Sequence, residues 1–260
     1  MTLVDFTLGQ FLLFALVLFR TTGMLLTAPV IGSRNLPTQL KLGLAMMVAL
    51  LILPLLGPAA AALPKTPGAL FLAALGETLV GMIIGFAASL LFAAVQLAGM
   101  LMDQELGLSL ANVIDPLSNE QVSVIGQLKL LLATGIFLGL EGHHMLLGAV
   151  ADSFAVVPVT GFHWSPALAL RLGDELVGQT FDIAVRLAAP VVVTMLLTTI
   201  ALGFLARAVP EMNIFIVGFS VRIVVGLVVI LLAVGGFAAV FSGLAIETGA
   251  QMPQLVEAMK

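Results

Sequence analysis

Long apolar runs separated by short polar stretches fill the chain, and their lengths predict helices rather than strands. The first run, Phe6 to Ile31, holds a single charge, Arg20. The second, Leu42 to Leu56, ends where four prolines between Pro54 and Pro67 predict a loop. The third, Ala69 to Met102, carries Glu77 near its start. Its roughly 34 residues would extend about 50 Å as one helix, well beyond a hydrocarbon core of about 30 Å, so it must tilt, protrude or break. Asp103 to Gln121, with Gly107 and the Asp115-Pro116 pair, reads as a loop. A fourth run, Val122 to Leu140, has Lys129 near its centre. Met145 to Val157 is apolar but too short to span. Residues 158–182 mix proline, glycine and charge, with a turn expected at Trp164-Ser165-Pro166. Ile183 to Leu205, with Arg186 and Pro190, and Ile214 to Val240, with Arg222, flank a short polar loop and form a helical hairpin. About five or six helical spans result, and no segment alternates in the manner of a transmembrane barrel.

Composition narrows the function. Of 260 residues, 61% are hydrophobic and 9% charged, with a mean hydropathy of +1.21. A soluble domain carries about 25% charge, so the chain reads as an integral membrane protein. The first run is too long for a signal-peptide core and lacks a basic leader, so a cleavable signal is not expected. A net charge of −4 offers no basic face to nucleic acid. The absence of cysteine excludes disulfides, thiol nucleophiles and cysteine zinc sites. Glu141-Gly142-His143-His144 lacks the helical spacing of a zinc-protease motif and reads as a polar end between two apolar segments. Asp103, Glu105 and Asp115 sit in a glycine-containing loop, poor pre-organisation for acid–base work or a cation, so a structural or gating loop is the better reading. No phosphate loop, nucleophile elbow or dinucleotide fingerprint is present. No enzyme, cofactor or metal site is expected.

One ionisable residue recurs in run after run: Arg20, Glu77, Lys129, Arg186, Arg222. A basic residue at a helix centre costs about 2.5–3.5 kcal/mol on insertion, and such residues face protein or a water-filled cavity. All five are therefore candidates for contacts between subunits. The alternative is that the arginines snorkel or pair with Glu77 and Asp182. Gly81–Gly85 and Gly135–Gly139 have the spacing that lets helix backbones approach in lipid, a weak signal in a glycine-rich chain. Loop charges show no contrast from which to read orientation. A small secondary transporter is the general alternative, with Glu77 coupling to protons and Pro190 breaking its helix, but no repeat of one half in the other supports it.

Four segments together resemble the FliR family of flagellar type III export proteins: FRTTGMLLTAPVIGSRNLPTQLKLGLA from Phe19, AAVQLAGMLMDQELGLSLANVIDP from Ala93, IFLGLEGHHMLLGAVADSFAVVPVTG from Ile136 and LGFLARAVPEMNIFIVGFSVRIVVG from Leu202. They occur in the family's order and spacing. Virulence-secretion counterparts share much of the pattern, and the Ala-Gly, Gly-Leu-Ser and Asp-Pro block favours the flagellar branch. The chain departs from the family at Glu141, at Glu211 after Pro210, and at Ser220-Val221-Arg222.

The resemblance implies an all-α integral membrane protein of bent helical hairpins: a FliP-like region over 1–168, a FliQ-like hairpin over 173–247 and a C-terminal tail over 248–260. The hairpin would have an Ala188-Ala189-Pro190 entry and carry its tip at Arg207, Pro210, Glu211 and Asn213. It implies a non-enzymatic subunit that joins several copies each of FliP and FliQ, with FlhB and FlhA, in a pore of the bacterial inner membrane at the flagellar basal body, through which unfolded flagellar proteins leave. The family's plug loop corresponds to residues 106–121. Gly107 would supply a tight bend there, Leu106, Leu108, Leu110 and Ile114 an apolar seal, and Asp115-Pro116 the loop's end. Hydrophobic constrictions gate by dewetting.

Overall fold

A computed structural model of the chain describes residues 3–33, 36–59, 64, 66–108, 123–211 and 213–260. Every described element is helical and no strand occurs among the described residues. In chain order the helices are α1 (Leu3–Thr27), α2 (Thr38–Ile52), α3 (Pro67–Leu106), α4 (Val124–Gly139), α5 (Gly142–Val156), α6 (Pro166–Leu170), α7 (Val177–Ala208) and α8 (Ile214–Glu257). A 3-10 helix, Leu53–Ala59, follows α2, and a π-helical stretch, Arg171–Leu176, joins α6 to α7. Five helices are long and apolar enough to cross a membrane, or six if α4 and α5 count as one broken span.

Local chemistry sets several boundaries. Pro67 and Pro166 each open a helix, where a missing N–H costs nothing and φ is already set. Thr66 and Ser165 precede them, their hydroxyls accepting from Ala69 N at 3.4 Å and Leu168 N at 3.0 Å. Ser123 does the same for α4, accepting from Gly126 N at 2.8 Å. Between α4 and α5, Glu141 adopts a left-handed φ of 56°.

The sequence expectations are refined at several points. Of the outcomes left open for the third run, a break does not occur: α3 is one helix of 40 residues, about 60 Å long, and it takes in Asp103 and Glu105, so the loop begins only at Gly107. The proline-rich stretch after α2 is partly a 3-10 helix, Leu53–Ala59, which takes in Pro54 and Pro58. The segment at Trp164 to Pro166 is a helix start, not a turn, and the chain stays helical from Pro166 to Ala208. Pro190 lies inside α7 without ending it. Within residues 248–260, α8 runs to Glu257, and Met252, Leu255, Val256 and Met259 are buried.

The chain divides into two compact units. The first comprises Met1–Leu90, Glu141–Val177 and Ala245–Lys260, the second Leu91–Leu140 and Gly178–Leu244. In the first, α1 lies against α3 so closely that a Cβ on Gly81 would meet the Arg20 carbonyl, and one on Gly85 the Thr27 hydroxyl and Met24 carbonyl. Thr27 Oγ1 donates across this contact to Met82 O at 3.0 Å. In the second, Phe92 meets the rings of Phe137 and Phe241 edge-on at 5.3 and 5.8 Å, and a Cβ on Gly99 would collide with the backbone of Gly126.

Candidate functional site

The first unit encloses an ion pair. Arg20 on α1 and Glu77 on α3 are both fully buried, with Arg20 Nε 2.6 Å from Glu77 Oε2. The other guanidinium nitrogens are also engaged, donating to Ser153 Oγ at 2.9 Å and to Val157 O at 3.0 Å. The guanidinium carbon stands 3.9 Å from the Phe154 ring centre. Glu77 Oε1 accepts from Thr160 N at 2.9 Å, and Thr160 is held at φ 70°, a conformation that a β-branched residue adopts only when its surroundings over-determine it. A buried pair offsets its desolvation only when the remaining donors and acceptors are also met, and here they are. The pairing alternative from the sequence therefore holds for Arg20 and Glu77. As subunit-contact candidates the two are corrected, because enclosed side chains present no surface to another chain.

Lys129 on α4 is also buried, its Nζ 4.4 Å from the Phe237 ring centre within the second unit. Burial inside the chain likewise removes it from the surface candidates. Arg186 pairs with Asp182 one turn earlier at 2.8 Å, both well exposed on α7, as the pairing alternative had it. Arg222 on α8 is half-buried, with no ion pair among the described residues.

The second unit holds the base of the candidate plug loop. α3 ends in a left-handed turn: Gly107 has φ 80°, Gly107 N donates to Gln104 O at 3.2 Å, and Leu108 N to Asp103 O at 3.0 Å. This paired closure satisfies the last carbonyls of a helix and favours glycine at the bend. The Asp103 side chain does the complementary work across the gap, its Oδ1 accepting from Ile125 N at the start of α4 at 3.2 Å. A carboxylate at a helix N-terminus also meets the positive end of its dipole. Asp103 thus closes one helix with its main chain and caps the next with its side chain. Sequence reasoning missed this role because it placed Asp103 in the loop. Asp103 Oδ2 is buried with no hydrogen-bond partner among the described residues.

Leu106 is fully buried, seated where Gly226 of α8 leaves room for it. Within the chain it anchors the loop base. Leu108 is half-buried. Leu110, Ile114, Asp115 and Pro116 lie outside the described residues. At the hairpin tip, Arg207 ends α7, while Pro210 and Glu211 form an exposed turn. Asn213 caps α8, its Oδ1 accepting from Ile216 N at 3.4 Å. His144 Nδ1 lies 3.4 Å from Glu141 Oε2 on the surface. No group of metal-ligating side chains occurs among the described residues.

Comparison with known proteins supplies the family. The family model described as Bacterial export proteins, family 1, matches residues 11–247. The flagellar biosynthetic protein FliR of Bacillus subtilis is 32% identical over 231 residues, covering 84% of each chain. That of Escherichia coli is 34% identical over 212 residues, covering 81% of this chain and 79% of the relative. The Caulobacter vibrioides protein of the same name is 29% identical over 229 residues, 88% of this chain and 90% of its own. The match takes in α3, α4 and α7, and with them both the sealed ion pair and the loop base. An all-helical membrane chain so matched along its length belongs to bacterial export protein family 1, the family of the flagellar biosynthetic protein FliR.

Proposed function

We propose that the chain is a non-enzymatic subunit of the flagellar type III export gate in the bacterial inner membrane at the basal body. In this reading it joins several copies of FliP- and FliQ-like proteins, with FlhB and FlhA, around the path of unfolded flagellar subunits. Residues 106–121 form its plug, and α7 with most of α8 its FliQ-like hairpin.

The observation that carries the reading is the uncovered state of that hairpin. The apolar windows of α7 and α8 are only 22% and 17% buried within the chain, against 61% for α3. Lipid alone would suit Leu197, Leu231 and Leu232, each more than half exposed. It suits Arg186 and Asp182 poorly, since charges within spans favour protein or water-filled surroundings. Protein neighbours resolve both. Glu77 does not serve the transporter alternative, because both its oxygens are held inside the sealed network.

Native mass spectrometry of the tagged chain, expressed with its genomic neighbours and extracted in mild detergent, tests this. One copy bound to several small membrane proteins is expected. A stable, unaccompanied monomer or homodimer would refute it.

A further inference from the structure

A cavity of about 310 Å³ opens in the first unit between α5 and the last turns of α8. Gly148 of α5 and Gly249 of α8 make the room, Met145 and Met252 supply flexible apolar walls, and Asp152 is its one charged residue. Its polar groups are all acceptors. Ser153 has spent its hydroxyl hydrogen on Val150 O at 2.6 Å and accepts from Arg20. Pro253, inside α8, has no N–H to offer the carbonyl of Gly249 four residues earlier, so that carbonyl lacks its usual helical donor at the cavity wall. Arg20, which donates to Ser153, is neutralised by Glu77, and Arg171 donates to Gln254 O at 2.7 Å and lies 3.8 Å from Glu175. Two acceptors, no free donor and an apolar wall call for a ligand that brings N–H groups and positive charge on an apolar body.

We propose that this cavity is a binding site for an aminophospholipid, its ammonium headgroup between the Asp152 carboxylate and the Gly249 carbonyl. The acyl chain then continues along the apolar side of α8 past Ile246, which is 56% exposed. A lipid is favoured over a protein side chain because α8 is apolar enough along its length to cross a membrane, and Ile246, one turn before Gly249, presents an exposed apolar side chain beside the cavity. The ammonium tip is what distinguishes the headgroup: it pairs in charge with the Asp152 carboxylate, whereas a glycerol tip brings hydroxyl donors but no positive charge to offset its phosphate. The site stands independently of the export-gate reading.

The test uses the full chain, purified as the complex it forms, with lipid adducts counted by native mass spectrometry after adding phosphatidylethanolamine or phosphatidylglycerol. Retention of phosphatidylethanolamine over phosphatidylglycerol by about fivefold, the worth of one partly exposed ion pair, is expected. Asp152→Asn should erase the preference while leaving the adduct detectable. Gly148→Leu should fill the cavity and remove the adduct at an unchanged melting temperature. Equal retention of the two lipids, or a preference that survives Asp152→Asn, would overturn the proposal. Should Gly148→Leu unfold the chain, Asp152→Asn decides alone. A partner lysine as true occupant would appear as a zero-length carbodiimide cross-link to Asp152 with no lipid adduct in the complex, which also overturns it.

Discussion

At the scale of the residue, the sealed pair gives the sharpest energetic expectation. Removing one member of a buried ion pair strands the other and costs about 3–5 kcal/mol, whereas replacing both by apolar side chains is often neutral. Arg20→Met or Glu77→Met alone should therefore lower the thermal stability of the detergent-extracted chain sharply. The double variant should recover most of the loss, giving a strong coupling in a double-mutant cycle. Asp103 sets a smaller and more local expectation. Asp103→Ala removes the cap of α4 at about 1 kcal/mol and should speed amide exchange over 124–127, while Asp103→Asn, which keeps an acceptor, should not. Sequence could name Arg20 and Glu77 as costly charges and offer their pairing. It could not name Ser153 or Val157, because those partners stand 133 and 137 positions from Arg20 and have no periodic relation to it. Asp103 looked like loop because acid and glycine cluster around it, yet the acid is spent on the next helix.

At the scale of the element, identical glycine spacings prove unequal. Gly81 and Gly85 face the α1 backbone, while Gly135 and Gly139 have open space where a side chain would go. Spacing reports that a helix could be approached closely, not that another helix does so. Gly81→Ala should destabilise by about 1–3 kcal/mol, as overpacking does, and Gly135→Ala should be neutral or slightly stabilising because alanine favours the helix. Unfolding in mixed micelles would compare them, and equal effects would contradict the packing described. Helix existence and type were legible throughout, since apolar runs of this length admit little else. Breaks were not. Pro190 costs α7 one hydrogen bond in a 32-residue helix, a local loss that the other turns outlast, and Thr194 Oγ1 holds the Pro190 carbonyl at 2.7 Å.

At the scale of the whole molecule, the uncovered hairpin and the loop carry the expectations. Arg186→Glu or Arg222→Glu should abolish co-purification with FliP- and FliQ-like partners. Unchanged assembly would return both arginines to ordinary snorkelling. Deleting about five residues around Leu110, within a loop expected to seal by dewetting, should leave assembly intact and let the membrane leak ions, measured as conductance or as loss of membrane potential. An assembled, ion-tight variant would remove the plug from the account. The family was legible from four sequence blocks, whereas the loop's seal could be drawn only from resemblance, and the burial of Leu106 shows how the loop's base is held.

The sealed pair also bears on how the chain is made. Arg20 precedes Glu77 by 57 residues and Ser153 by 133. At about 5–20 residues per second of synthesis, the arginine waits roughly 3–11 s for its counter-ion, and longer for its serine. Through that interval α1 carries an unmatched cation that the finished fold hides completely. Until the third helix arrives, the first therefore carries the cost of an unmatched arginine, about 2.5–3.5 kcal/mol at a helix centre, which its apolar residues must offset alone.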